Sequence, residues 1–146
     1  MTTQQFADFV LPLRVYWEDT DAGGVVFYAN YLRFFERART EWLRALGHDQ
    51  QALREATGGM FVVSEARVRY LRPARLDDVI DVSVRLLASG RASMAFAQQA
   101  RRGAELLCEG EIRIGWVQPD EAGELHPRRI PAEVLDALPA PAWTTS

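Results

Sequence analysis

The hydrophobic pattern of this chain changes period twice. Apolar residues alternate over residues 9–17, recur at steps of three and four over residues 31–46, and alternate again through much of the second half. Alternation indicates a strand with one buried face, and the three-and-four spacing indicates an amphipathic helix. The pattern predicts a strand, one long helix of ~24 Å, and then a run of strands.

Local signals limit these elements. Asn30 is the predicted N-cap of the long helix and Gly47 its predicted stop. Arg39 and the other charged residues of this segment are expected on faces away from the apolar stripe. A short second helix is expected within residues 49–56, before Gly58 and Gly59, and Pro12 requires an edge or strand-start position.

The second half predicts four strands joined by short links, over residues 60–71, 80–86, 94–96 and 106–116. Short links favour antiparallel neighbours, because parallel pairs need a long crossover. A sheet with one apolar face covered by one helix gives an α+β fold, with residues 1–138 as a single domain and residues 139–146 as a flexible tail. Apolar residues near the strand ends exceed what one helix covers, so at least a dimer is expected.

Charge and cysteine content narrow the function classes. The formal net charge of −3 argues against a nucleic-acid-coating protein. All 17 basic residues are arginines, whose planar guanidinium suits small anionic ligands. The single cysteine, Cys108, fits a reducing compartment, and no apolar run approaches the ~20 residues of a membrane span. A cytoplasmic protein is expected.

Three carboxylates and two glycines follow the first strand, in the segment from Glu18 to Gly24. They are compatible with a solvated turn, with a divalent-cation site, or with a general base or nucleophile next to a helix start. The residue types alone leave these alternatives open. His48 and His126 are expected in surface turns and Cys108 as a buried thiol, so a carboxylate would carry any catalysis.

Residues 15–32, VYWEDTDAGGVVFYANYL, followed by ERARTE at 36–41, carry a resemblance to a known family. Together with MFVV at 60–63, YLRPARLDD at 70–78 and GRAS at 90–93, they resemble hotdog-fold acyl-CoA thioesterases. The nearest type is YbgC, associated with the Tol-Pal system, within the 4-hydroxybenzoyl-CoA thioesterase-like group. The resemblance spans about residues 12–131.

The resemblance implies a hotdog fold, a five-stranded curved antiparallel sheet wrapped around the long helix, with active sites between subunits. It implies that Asp21 is the catalytic carboxylate, as nucleophile or general base, and that Asp19 supports the loop. Tyr28, which stands where many YbgC-type members carry histidine, would either hydrogen-bond the substrate or pack at the helix entrance. The Gly59 N–H would stabilise the oxyanion.

Coenzyme A is part of the substrate, and neither a metal nor another cofactor is implied. Its phosphates call for arginines. Arg91, flanked by Gly90 and Ser93, is the first candidate, and Arg128 and Arg129 are secondary ones. A homo-oligomer is expected, a dimer that pairs into a homotetramer. Acyl-carrier protein as a substrate carrier and peripheral membrane association stay open.

Three rival functions remain. A hotdog protein could bind acyl thioesters or acyl-carrier protein without turnover, which a thiol-release assay would distinguish. A dehydratase would need a histidine within the active motif. A transferase using Asp19 and Asp21 to hold a metal would lose activity in a chelator.

Overall fold

The computed structural model describes residues 7–142. One turn of 3₁₀ helix, Trp17–Asp19, follows the first strand. The strands and helices, in chain order, are β1 (Phe9–Arg14), α1 (Asn30–Ala45), α2 (Gln50–Thr57), β2 (Met60–Tyr70), β3 (Val79–Ser89), β4 (Ser93–Arg102), β5 (Glu105–Pro119), β6 (Leu125–Pro127) and α3 (Ala132–Ala137).

The strands form one antiparallel sheet in the order β1-β3-β4-β5-β2, and the short β6 pairs with β5. This arrangement confirms the predicted α+β class, and β6 is an addition to the five expected strands. Pro12 lies in β1, which is an edge strand, as its missing N–H requires. The other edge strand is β2, which is 11 residues long.

The long helix α1 packs on β1, β3 and β4. Its buried face carries aromatic and aliphatic side chains, which lie against apolar residues of the sheet. At ~25 cal/mol for each Å² of apolar surface removed from water, this face is a major source of stability. Its largest members are Tyr31, Phe34, Phe35, Trp42 and Leu43.

The start of α1 differs from the prediction. Ala29 is the N-cap, and it makes no side-chain capping bond. Asn30 is instead the first helical residue and is buried. Its side-chain amide donates a hydrogen bond to the carboxylate of Asp19 in the preceding loop, which compensates for this burial. The predicted stop is confirmed: Gly47 has φ +96°, a conformation that costs glycine little.

Trp17 was expected on the inner face of the first strand, and this prediction is wrong. The strand ends at Arg14, and the chain turns so that Trp17 is 78% exposed. The turn forms because the Asp19 side chain accepts the N–H of Tyr16 at 2.8 Å. A local polar bond therefore overrides the hydrophobic alternation.

Arg39 was expected on an outer face of the helix and is instead 8% exposed. Its Nη1 donates to Gln98 Oε1 on β4 at 2.8 Å. Gln98 Nε2 in turn donates to the backbone oxygens of Phe35, at 3.0 Å, and Ser83, at 3.3 Å. The polar centre of the core is therefore hydrogen-bonded, as burial demands.

Part of the predicted flexible tail has a defined position. The Ala142 N–H donates to Leu86 O on β3 at 2.9 Å, while residues 143–146 lie outside the described part of the chain. Within residues 7–142, no helix has the length and apolar character needed to cross a membrane.

Candidate functional site

Asp21 lies exposed in a tight turn between β1 and α1. Its Oδ1 accepts the Gly23 N–H at 2.8 Å, and its backbone N–H donates to Val25 O at 2.9 Å. Gly24 completes the turn with φ +79° and donates to Asp21 O at 3.0 Å. The turn leaves the second carboxylate oxygen of Asp21 without a protein partner among the described residues, so it is available to a substrate or a water molecule.

Asp19 has a different environment from Asp21. It is 3% exposed, with Oδ1 accepting from Asn30 Nδ2 at 2.8 Å and Oδ2 accepting from the Tyr16 N–H at 2.8 Å. Its backbone oxygen accepts the Phe27 N–H at 2.9 Å. These bonds agree with the support role expected for Asp19, because they tie the Asp21 turn to the first residue of α1.

Backbone donors stand at the start of α1. Within the described part of the chain, the N–H groups of Tyr28 and Ala29 donate no hydrogen bond, whereas the Asn30 N–H donates to Phe27 O at 2.8 Å. The first N–H groups of a helix lack intrahelical acceptors and carry the positive end of the helix dipole. They are therefore suited to hold negative charge on a ligand. The sequence indicated a helix start near Asp21 but not which N–H groups remain unpaired.

Tyr28 is 62% exposed and lies in an aromatic cluster beside the same helix start. Its ring contacts those of Phe27 and Tyr70, with centroid distances of 4.7 and 5.9 Å. A cleft of about 260 Å³ opens between this cluster and residues 71–73. Tyr28 therefore packs at the helix entrance while its exposed edge faces solvent. Tyr70 also lines this cleft, and the sequence patterns did not identify it as a site residue.

Gly59 immediately precedes β2 and is buried. Its N–H already donates to Thr57 Oγ1 at 3.0 Å. A Cβ at this position would stand 2.4 Å from the Trp116 ring, so close packing alone requires glycine here. The Gly59 N–H could stabilise an oxyanion only by giving up this bond to Thr57, and its donor role stays a prediction.

The residues expected to bind coenzyme A lie close together. Gly90, Arg91 and Ser93 form the β3–β4 turn, in which the Gly90 N–H donates to Ser93 O at 2.8 Å. The Arg91 backbone oxygen accepts the Ile130 N–H at 2.8 Å, which brings the segment carrying Arg128 and Arg129 beside this turn. All three arginine side chains are exposed. We call this group the arginine cluster, comprising Arg91, Arg128 and Arg129.

The two halves of the expected site lie at opposite ends of the sheet. The Asp21 turn joins the 74–78 loop, since Val26 donates to Ala74 O at 2.8 Å. Ser93 pairs with Gly115 and Met60 pairs with Val117, so the arginine cluster and Gly59 lie at the other end. Over the length of β2 the separation is ~33 Å. A single protomer therefore does not bring the predicted catalytic and coenzyme-binding residues together.

A second cavity, of about 230 Å³, lies between α1 and the first half of β2. We call it the α1–β2 cavity. Arg39, Glu36 and Gln50 line it together with apolar side chains. Burial lowers the pKa of Arg39 to about 10, so the guanidinium stays charged at neutral pH. The apolar wall includes Trp42, Phe61, Val62, Met94, Phe96 and Ile114.

The other candidate catalytic groups, the two histidines and the cysteine, are held by hydrogen-bond contacts or by burial. His48 Nε2 lies 3.1 Å from Glu133 O, and His126 Nε2 lies 2.7 Å from Asp120 Oδ2. Cys108 is fully buried, and burial raises the pKa of its thiol to about 12. Asp120, Glu124 and His126 form the only cluster with metal-ligand spacing within residues 7–142. Asp120 Oδ1 there accepts the N–H groups of residues 122 and 124, as in a tight turn.

The chain is similar to a known protein family and to named members of it. The thioesterase-like superfamily model matches residues 15–138. The acyl-CoA thioesterase YbgC of Haemophilus influenzae is 41% identical over 130 residues, which cover 89% of this chain and 93% of that protein. The acyl-CoA thioester hydrolase YbgC of Escherichia coli O6:H1 is 41% identical over 128 residues, covering 87% and 92%.

A solved structure gives the same result. The crystal structure of a probable thioesterase from Bartonella henselae superposes with a TM-score of 0.76 at 34% identity, covering 84% of this chain and 98% of that one.

Proposed function

The chain belongs to the thioesterase-like superfamily, and we propose that its reaction, the hydrolysis of acyl-CoA thioesters, depends on the carboxylate of Asp21. The chain is an acyl-CoA thioester hydrolase of the hotdog fold. The observation that supports Asp21 is its position. It is an exposed carboxylate, held by its own turn in the loop that leads to the Tyr28 and Ala29 N–H groups just before α1.

Asp21 has two routes to the product. It can attack the thioester carbonyl carbon, so that the carbon–sulfur bond breaks, CoA leaves as its thiolate, and water hydrolyses the resulting mixed anhydride. Alternatively, it can take a proton from a water molecule whose oxygen attacks the same carbon. Both routes place the Asp21 carboxylate within reach of the carbonyl, and both release the free acid and CoA.

The developing negative charge on the carbonyl oxygen needs donors already in position. The N–H groups of Tyr28 and Ala29 meet this need, because they have no partner among the described residues and lie at the positive end of α1. Removing one such donor from an oxyanion site costs ~10²- to 10³-fold in kcat. The exposed Tyr28 ring then forms one wall of the entrance, in contact with Tyr70.

We propose that the complete site forms between two copies of the chain. The free edge of β2 is available for antiparallel pairing with the same strand of a second copy. Pairing about the middle of β2 sets Tyr70, which contacts Tyr28, beside the partner's Met60. The Asp21 turn of one protomer then faces the end of the sheet that carries Gly59 and the arginine cluster in the other.

In this arrangement the arginine cluster receives the phosphates of coenzyme A, with Gly90 and Ser93 offering backbone and hydroxyl contacts. Guanidinium groups form charge-assisted hydrogen bonds with phosphate, and several exposed arginines also steer an anionic substrate. In the proposed reaction only groups of the chain and water act on the substrate, and no metal or other cofactor takes part. The single buried cysteine supports a reducing, cytoplasmic location.

A thiol-release assay with short, long and aromatic acyl-CoA substrates tests the activity. We expect turnover that persists in a chelator. Binding without thiol release across the panel would favour the rival function, a non-catalytic acyl-thioester or acyl-carrier-protein binding protein. Gel filtration with light scattering tests the assembly, with a dimer as the minimum and a dimer of dimers as the expected homotetramer.

Subunit complementation tests the shared site. An Asp21→Asn chain and an Arg91→Ala chain are each impaired alone, but a mixed dimer contains one site with both residues intact. At substrate concentrations well below KM, where the Arg91→Ala dimers contribute little, we expect activity to recover to about one quarter of wild type in a random mixture of the two, since half of the dimers are mixed and each has one good site of two. No recovery on mixing would contradict the shared site while leaving the activity itself established.

A further inference from the structure

Arg39 is a buried cation with spare hydrogen-bond donors. One guanidinium nitrogen, Nη1, donates to Gln98, and the group forms no other hydrogen bond with the described residues. In the same residues, no side-chain nitrogen or oxygen is both fully buried and without a partner. The remaining Arg39 N–H groups are therefore reached by solvent, and Arg39 is part of the wall of the α1–β2 cavity.

No carboxylate within residues 7–142 forms an ion pair with Arg39. Glu36, one turn earlier on α1, is exposed and lines the cavity; its charge favours the charged form of Arg39, but the two form no ion pair. Gln98, the one hydrogen-bond partner of Arg39 among the described residues, is a neutral amide. A buried charge is costly to fold unless an opposite charge or strong acceptor compensates it, and buried charges are therefore usually paired.

Apart from Arg39, Glu36 and Gln50, the cavity is lined by apolar side chains, among them Trp42, Phe61 and Phe96. Pockets for small molecules commonly combine an apolar wall with a few polar groups that determine orientation. Such a wall suits a carbon chain, and a guanidinium suits a carboxylate at the end of that chain.

We propose that the α1–β2 cavity receives the acyl group and that Arg39 selects acyl groups with a carboxylate at the far end, the half-thioesters of dicarboxylic acids. This rests on the proposed function. The cavity is lined by the first half of β2, the part that faces the partner's Asp21 turn in the proposed shared site. The thioester would lie at that turn while the acyl chain extends toward Arg39.

Matched pairs of substrates test this selectivity. Succinyl-, glutaryl- and adipoyl-CoA are compared with butyryl-, valeryl- and hexanoyl-CoA, so that each pair differs only in a terminal carboxylate or methyl group. For at least one chain length we expect kcat/KM to favour the carboxylate by ~10- to 100-fold, the range of one hydrogen bond to a charged group. In Arg39→Met this preference is expected to be lost or reversed, and in Arg39→Lys, which keeps a cation, to be partly retained.

Calorimetric binding to the Asp21→Asn variant repeats the comparison without turnover, with and without Arg39→Met. A preference for the carboxylate that depends on Arg39 supports the proposal even if hydrolysis proves too slow to measure. Wild-type preference for the methyl member at every length, or an equal preference in Arg39→Met and wild type, would overturn it. Either of these results in an active enzyme leaves the thioesterase function intact. Should Arg39→Met fail to fold, Arg39→Lys and the wild-type pairs decide the question.

Discussion

Asp19 and Asn30 are joined by a buried hydrogen bond of 2.8 Å that connects the loop after β1 to the first residue of α1. Asp19 carries no free carboxylate oxygen, since its other oxygen accepts the Tyr16 N–H. Two residues later, Asp21 is exposed and retains an oxygen with no partner among residues 7–142. Asp19 therefore has a structural role, whereas Asp21 is available to react with a substrate.

Asp21→Asn is expected to lower kcat for acyl-CoA hydrolysis by ~10²- to 10⁴-fold, the range for removal of an acid–base group. The turn should persist, because the asparagine Oδ1 can still accept the Gly23 N–H. Thiol release and circular dichroism measure the two effects. Glu18→Gln, an exposed neutralisation in the same loop, is the matched control and should stay near wild type. Equal loss in both variants would point to the net charge of the loop rather than to Asp21.

Asn30→Ala is expected to reduce the free energy of unfolding by ~1–3 kcal/mol, because it leaves a buried oxygen of Asp19 unpaired. Asp19→Ala and the double variant complete a cycle, in which we expect a coupling energy of ~0.5–3 kcal/mol. Urea unfolding measures all four proteins. Gln51→Ala, which removes an exposed hydrogen bond from the Gln51 side chain to Glu55, should change the free energy of unfolding little. Strict additivity of the two substitutions would show that the bond contributes nothing measurable.

Arg91→Ala is expected to raise KM for acyl-CoA by ~10-fold with a smaller change in kcat, since it removes a contact to the coenzyme rather than to the reacting carbonyl. The dependence of KM on salt should also weaken, because one phosphate contact fewer is screened. Steady-state kinetics at several ionic strengths measure both effects. Arg113→Ala, an exposed arginine on β5, is the control. An unchanged KM at every salt concentration would remove Arg91 from the phosphate site.

Cys108 contributes a pH dependence to stability at high pH. Burial raises the pKa of its thiol to about 12 from an ordinary 9.0, so the unfolded chain releases this proton before the folded chain does. The contribution is complete below pH 9.0 and decreases as pH rises toward about 12. We expect the free energies of unfolding of wild type and Cys108→Ala, measured with urea and plotted against pH over this range, to converge as pH rises. Curves that stay parallel would mean that the thiol titrates equally in both states.

The elements with strong periodicity could be predicted from the sequence. The stripe of α1 places Phe34, Phe35 and Trp42 in the core as expected, and the glycine stop at Gly47 has the predicted left-handed conformation. The antiparallel pairing of β3 with β4 and of β4 with β5 followed from the short links, whereas β2 pairs with β5 and not with its chain neighbour β3, which the short link between them did not predict. The features that were predicted depend on neighbours a few residues apart, and such neighbours are visible in any single sequence.

The errors concern residues whose partners are far along the chain. Arg39 was assigned to an outer face because its buried partner, Gln98, is 59 residues away. The packing that requires glycine at position 59 comes from the ring of Trp116 on β5 and could not be predicted, while the donor role of the Gly59 N–H stays a prediction. The separation of Asp21 from the arginine cluster is likewise a property of the sheet order, and no local pattern encodes it.

Both described ends of the chain meet at one residue of β3. The Leu86 N–H donates to Asp8 Oδ2 at 2.7 Å, and its backbone oxygen accepts the Ala142 N–H at 2.9 Å. A short linker could therefore join the ends without crossing the molecule, and new ends could open at the exposed β4–β5 turn around Gly103. The fold is thus suited to circular permutation, which would free the first strand from its place at the beginning of synthesis.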